Sequence, residues 1–407
     1  MKRRQFLIRS GLLSLVGGLF PSRLIIRASG QVPAAPAAPA GNFYARLNVK
    51  PVINATGSVT FLGGSIMAPE TLAAMDDASR EFVVITELLE KSGEHIARLI
   101  GIEGALVTTG AAGAITLGTA ACVTGMDLEK IQRLPDTTGL KQEVILQRSH
   151  RNEYETQMRL VGAKLIEVET HEELEAAIND RTAMLFFMNK ADPNGKIRRN
   201  EWVALARKHG IPTFLDAAAD TPPSEHLSSY VKMGFDLVAF SGGKALRGPQ
   251  STGLLLGRKD LIDAARHNAS PYDRTIGRGM KVGKEEVAGL VTAVERFLSA
   301  DHDVEFRQFE AAAKLIEELF IGVEGVRTEL QVPEVANHLP HLAVAWNPTR
   351  IPLSSREVAT RLMEGAPRIA VREREPNGVL ISPLMLRPDQ VMIVASRLKD
   401  VLIGSQR

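Results

Sequence analysis

Lys244 stands in the run Phe235-Asp236-Leu237-Val238-Ala239-Phe240-Ser241-Gly242-Gly243-Lys244-Ala245-Leu246-Arg247-Gly248-Pro249-Gln250, where an apolar strand delivers an amine into a glycine-rich turn. Backbone can approach a ligand closely in such a turn. Partial desolvation lowers the pKa of an ammonium group, and a neutral amine is a nucleophile toward an aldehyde. Ser241, three residues earlier, offers a hydroxyl to a phosphate. Asp216 closes the apolar strand Ile211–Leu215 and is followed by Ala217-Ala218-Ala219, small residues that leave room for a flat ring. A carboxylate there can keep a pyridine nitrogen protonated, which makes the ring an electron sink; it can also simply cap a helix. Thr108-Thr109-Gly110-Ala111-Ala112-Gly113 closes one strand and opens an apolar helix. Free N–H groups at that helix start make an anion site, unless the small residues serve only close packing. His150 follows the strand Glu143–Gln147, where an imidazole can stack on a planar cofactor or stand in solvent.

These residues need a scaffold. Apolar runs of strand length predict strands at Ala105–Thr108, Glu143–Gln147, Lys164–Val168, Ala183–Met188, Thr213–Asp216, Leu237–Ser241 and Gly253–Leu256. Stretches of helical period alternate with them at 86–100, 111–124, 153–161, 171–178 and 200–209. Such alternation predicts an α/β fold with a mostly parallel sheet, helices on both faces and ligands at the C-terminal strand ends. Beyond residue 280, Val287, Leu290, Val291, Val294, Phe297 and Leu298 line one face of a long helix, with another at 308–320. Short strands near 340–346 and 378–382 and a final helix at 389–402 predict a smaller C-terminal α+β domain. An anion cradle, a planar stacker, a carboxylate and a lysine at successive strand ends follow the chain order of a pyridoxal-phosphate enzyme of the aspartate-aminotransferase fold.

The chain has 407 residues and a net charge of +2. Residues 1–40 carry +6 and no acidic residue, so the remainder carries −4. Arg3-Arg4-Gln5-Phe6-Leu7 ahead of the uncharged stretch Ser10–Ser22 has the layout of a twin-arginine export signal, predicting a periplasmic location, or a membrane tether if it stays uncleaved. A Pro/Ala linker follows at 31–42. The expected division is then a signal at 1–30, the linker, an arm at 43–67, a cofactor-binding domain at 68–285 and a small domain at 286–407. Basic residues are scattered without an aromatic-interleaved stripe, so no nucleic-acid partner is expected. The one cysteine, Cys122, excludes an intrachain disulfide and a multi-cysteine metal site, and no metal is expected.

The block Ser241–Gln250, the stretch Ile276-Gly277-Arg278-Gly279-Met280-Lys281-Val282-Gly283-Lys284-Glu285-Glu286, and the opening Val52-Ile53-Asn54-Ala55-Thr56-Gly57 with Leu62-Gly63-Gly64-Ser65 resemble the selenocysteine synthase-like (L-seryl-tRNA(Sec) selenium transferase-like) enzymes of fold type I. Within that group the likeness is closest to the D-glucosaminate-6-phosphate ammonia-lyase branch. It implies pyridoxal 5'-phosphate as cofactor, with Lys244 carrying the Schiff base and Asp216 on the pyridine nitrogen. Ser241 and the Gly110, Ala111 and Ala112 amides would hold the phosphate, His150 would stack on the ring, and Ala218 would lie beside it. Arg372, Arg278 and Thr60 are candidates for the substrate, with arginine suited to its carboxylate. The chain departs from true selenocysteine synthases at Thr60–Ser65, where those proteins show His-Thr-Asn-Leu-Gly-Arg, and it begins with an export-type segment where they carry a tRNA-binding domain. The expected activity is α,β-elimination with ammonia release on an amino acid or amino sugar acid. Alternatives are an aminotransferase, a selenium or sulfur transferase-like enzyme, or an exported pyridoxal-phosphate-binding protein without turnover. A homodimer, and passage through the twin-arginine machinery, complete the expectation.

Overall fold

The computed structural model describes residues 43–404; the expected export signal and the Pro/Ala linker lie outside the described residues. The first of two units ends at Lys50; its described residues, 43–50, include the short helix Phe43–Arg46. From Pro51 onward the chain is one compact unit.

Strand β1 (Val52–Asn54) precedes seven strands that make the central sheet: β2 (Gly104–Thr109), β3 (Glu143–Gln147), β4 (Lys164–Val168), β5 (Thr182–Met188), β6 (Thr213–Asp216), β7 (Leu237–Ser241) and β8 (Thr252–Gly257). Their spatial order is β2-β8-β7-β6-β5-β3-β4. Every neighbouring pair is parallel except those of β8, which runs antiparallel to both β2 and β7. Successive side chains face opposite sides, so Phe186 packs under one layer of helices and Phe187 under the other, as do Leu255 and Leu256. A sheet buried on both faces requires the continuous apolar runs that the sequence shows. The strand positions match the expected ones to within a residue or so.

The smaller lobe is built on β9 (Val326–Gln331), β10 (His341–Trp346), β12 (Arg372–Arg374) and β13 (Gly378–Ile381), an antiparallel sheet in the order β12-β13-β10-β9. Strand β11 (Arg368–Ala370) pairs in parallel with β1, which places Ile53 and Ala55 in this lobe's core beside Leu342, Val344 and Ile369. The helices Ser355–Glu364 and Pro388–Ile403 cover it.

Two expectations change. The helix Lys284–Ser299 does not open the small domain at 286. Its apolar stripe of Val287, Leu290, Val294 and Phe297 joins the large core with Leu89 and Ile96, so the two cores part after Ser299. The helix expected at 153–161 is a 3-10 turn, Glu153–Glu155, running into the short helix Thr156–Leu160; the Asn152 side chain caps the turn by accepting the Tyr154 N–H.

Candidate active site

The parallel strands end on one edge of the sheet, and the chemistry-bearing residues gather there. Asp216 is the last residue of β6, Ser241 the last of β7, and β2 runs directly into the helix Gly110–Thr124. That helix has no side-chain cap at Thr109, so its first-turn N–H groups are free for an anion. Across the sheet Gly253 pairs with both Thr108 and Ser241. A β carbon on Gly253 would lie 2.3 Å from the Gly110 carbonyl carbon, so only glycine lets the helix start seat against β8.

A cleft of about 390 Å³ opens beside this edge, lined by Lys244, Asp216, Ala218, Thr60 and Arg372 among others. Burial lowers the pKa of Lys244, against the pull of the Asp216 and Asp220 carboxylates, which raise it. Burial raises the pKa of Asp216, opposed by the Ala218 N–H, donated to Oδ1 at 3.0 Å, and by Lys244. A carboxylate 5% exposed with this little compensation fits a protonated ring nitrogen set against it. The free helix start beside Ser241 fits a phosphate. The residues present therefore suit pyridoxal phosphate. Arg372 donates to the Thr56 carbonyl at 3.2 Å, and the Gln250 side-chain amide donates to the Thr60 carbonyl at 2.6 Å, tying the segment after β1 to both the small lobe and the lysine loop.

The structure thus brings together Lys244, Asp216, Ala218, Thr60 and Arg372 in the cleft, with Ser241 and Gly110–Ala112 at the adjoining strand edge. It does not bring in two others. His150 is fully buried instead of facing the cleft; its ring meets Phe187 edge-on at 4.3 Å, and Nδ1 accepts the Met188 N–H at 3.2 Å. Its Nε2 lies 3.2 Å from the Gln147 amide nitrogen. Burial pushes its pKa down to about 4. The ring stacking expected of His150 is therefore corrected to a packing role beneath the edge. Arg278 is exposed and paired with Asp273 at 3.2 Å, outside the cleft lining.

Several lining residues had no place in the sequence expectation: Asp220, Lys190, Tyr154 and Asn337. Asp220 is 2% exposed and ends the run Asp216-Ala-Ala-Ala-Asp220, a repeat of the same residue type that was available as a signal. Its Oδ2 accepts the Asn189 amide at 2.6 Å, while Oδ1 is buried with no hydrogen-bond partner. Burial raises its carboxyl to about 7. Lys190 follows the end of β5 by two residues, a strand-end position of the same kind as that of Asp216. Asn337 comes from a distant loop of the small lobe and donates its backbone N–H to the Ala219 carbonyl at 2.7 Å; no local pattern announces it.

The family described as SelA, L-seryl-tRNA selenium transferase, matches residues 52–309. The D-glucosaminate-6-phosphate ammonia lyase of Salmonella typhimurium (strain 14028s / SGSC 2262) is 31% identical over 373 residues, covering 88% of this chain and 98% of that protein. The 5'-C-glycyluridine monooxygenase-decarboxylase of a Streptomyces species is also 31% identical, over 88% of this chain and 92% of its own length. A solved structure of D-glucosaminate-6-phosphate ammonia-lyase superposes with a TM-score of 0.77 at 30% identity, covering 90% of this chain and 99% of that one.

Proposed function

The chain belongs to the L-seryl-tRNA selenium transferase (SelA) family, and from that premise we propose that it is a pyridoxal-phosphate-dependent lyase releasing ammonia from a β-hydroxylated amino acid or amino sugar acid by α,β-elimination. The observation that carries this reading is the convergence of Lys244, Asp216 and the uncapped start of the helix Gly110–Thr124 on one strand edge. The likeness to the ammonia lyase over nearly the whole body favours elimination, and D-glucosaminate 6-phosphate is the first substrate to try.

When bound, pyridoxal phosphate supplies an electron sink for negative charge developing at the substrate α carbon. Lys244 would hold it covalently through Nζ, an attachment favoured by the neutral amine that burial promotes. Asp216 would keep the ring nitrogen protonated, and the Ala218 N–H orients its carboxylate. The Gly110, Ala111 and Ala112 amides with the Ser241 hydroxyl would hold the phosphate. Arg372 binds the substrate carboxylate, its Thr56 contact fixing the direction of the guanidinium. Lys244 Nζ, placed in the cleft beside Asp216, would take the α proton.

The test is direct. The purified protein shows a visible absorption band that Lys244→Ala abolishes, and it releases ammonia and keto acid from one or more of D-glucosaminate 6-phosphate, D-glucosaminate and the enantiomers of serine and threonine with no amino acceptor added. A strict requirement for a keto acid acceptor overturns elimination in favour of transamination; cofactor without any turnover favours a binding protein.

The paired Arg3-Arg4 ahead of an uncharged stretch supports export through the twin-arginine machinery to the periplasm. Arg3→Lys with Arg4→Lys then leaves the protein in the cytoplasm; an unchanged location rejects the route. Phe61, 86% exposed at the mouth of the cleft, and Phe82, fully exposed, support a homodimer closing over the site, which light scattering of the purified protein checks.

A further inference from the structure

Elimination of a β-hydroxyl needs two proton movements: one off the α carbon and one onto the departing oxygen. Lys244 accounts for the first. Asp216 is set against the ring nitrogen, so the donor of the second is either Lys244, giving back the proton it has taken, or another acid in the cleft. Asp220 is the remaining buried acid in the cleft lining. Its surroundings decide where its proton sits. Oδ2 accepts the Asn189 amide at 2.6 Å, and that amide is fixed from behind, because Arg199 donates to Asn189 Oδ1 at 2.9 Å and Asn189 also contacts the Tyr230 hydroxyl at 2.9 Å. The His226 Nδ1 lies 2.6 Å from the Asp220 carbonyl, and the Asp220 N–H is donated to the Ala217 carbonyl at 3.0 Å, holding the turn. The carbonyl-type oxygen is the better acceptor of an N–H, so the acid proton is favoured on Oδ1, the oxygen for which the protein provides no partner.

We propose that Asp220 is the acid that protonates the leaving β-hydroxyl, Oδ1 giving its proton as the carbon–oxygen bond breaks and water departs. This rests on the elimination reading above. The carboxylate left behind is restored by a proton from solvent, so the cycle consumes no further reactant. The charged and titratable groups facing Asp220 are Asp216 on its own turn, Lys244 from the loop after β7, Lys190 from the segment after β5, Arg199 from the following helix, and Tyr230 and His226 from the helix His226–Met233. Asp216 opposes ionisation of Asp220, whereas Arg199 and Lys244 favour it. The Tyr154 phenol is a poorer candidate donor, being half exposed.

Two measurements on the cofactor-loaded enzyme test this. Infrared difference spectra of wild type against Asp220→Asn show a protonated-carboxyl band that titrates near neutrality and is missing in the variant; a wild-type enzyme without such a titrating band overturns the proposal, whatever the variant does. With an active substrate from the panel, Asp220→Asn lowers kcat by about 10²- to 10⁴-fold with little change in KM, and removes the fall in kcat/KM that wild type shows as pH rises above neutrality. A reduced kcat with that limb intact marks a structural role and overturns it. Wild-type activity retained in Asp220→Asn sinks the donor role alone, whereas wild type releasing ammonia from nothing in the panel brings down the elimination reading and the donor with it.

Discussion

Gly64 and Gly243 approach so closely that a β carbon on Gly64 would stand 2.7 Å from the Gly243 carbonyl oxygen and 3.0 Å from Gln250 Cγ. The segment after β1, which carries Thr60, is thereby laid directly on the loop that carries Lys244. Gly64 also sits at φ +75°, where a side chain is strained whatever space it finds. Gly64→Ala therefore displaces the residue next to Lys244. The expected outcome is a fall in kcat on the order of 10²-fold, with the cofactor band retained, measured by steady-state ammonia release.

Arg372 and Arg278 were both candidates for the substrate carboxylate, and of the two only Arg372 lines the cleft. Arg372→Ala raises KM by about 10- to 100-fold, the loss of hydrogen bonds to a charged group, and leaves the visible spectrum unchanged. Arg278→Ala removes an exposed pair worth about 0–1 kcal/mol and shifts kcat/KM by less than about threefold. Side-by-side kinetics decide the matter, and a larger effect at Arg278 would reverse the assignment.

His150 gives the protein an acid-side weakness. Its folded pKa of about 4 lies below the unfolded value near 6.5, so between those values the unfolded chain binds the extra proton. Stability is full above about pH 6.5 and is lost as pH falls toward 4, by on the order of 3 kcal/mol from this residue. Denaturant unfolding at stepped pH should show that slope, and His150→Gln, which cannot titrate, should flatten it.

Cys122 packs against the core of the face that holds Phe186 and Phe214, and burial pushes its thiol up to about 12. Part of its surface stays accessible, so thiolate scarcity is what protects it. Labelling of the native protein by a thiol reagent near neutral pH should be slower than in the unfolded chain by on the order of 10³-fold. Rapid labelling of the native protein would contradict the assignment.

What could be read from the sequence, and what could not, follows from the range of each signal. Strands such as Glu143–Gln147 and Thr213–Asp216 announce themselves because a sheet buried on both faces leaves uninterrupted apolar runs. Lys244 and Asp216 were legible for the same reason: a strand end is visible in sequence, and the end of a parallel strand is where ligands sit. Which way a side chain turns after that end is not visible. His150 and Asp216 both stand at strand ends, yet one turns under Phe187 and the other into the cleft. The stripe Val287–Phe297 showed a buried helix face without showing which of two cores it faces. Asn337 reaches Ala219 across more than a hundred residues of chain, a contact that only tertiary structure creates.

The reversed direction of β8 has a mechanical consequence. A parallel neighbour would have required a long crossover, but an antiparallel one lets the loop 242–251 leave and re-enter the sheet on the same edge. That loop is stitched shut by Gly242 N–H to the Thr252 carbonyl at 2.9 Å and Gly248 N–H to the Gly242 carbonyl at 2.8 Å. Lys244 is therefore mounted on a loop that is anchored at both ends to the sheet edge. The facing wall of the cleft is assembled from far along the chain, Arg372 and Asn337 being contributed by the small lobe and Asn337 being pinned to Ala219, so the two walls are joined only by long-range contacts.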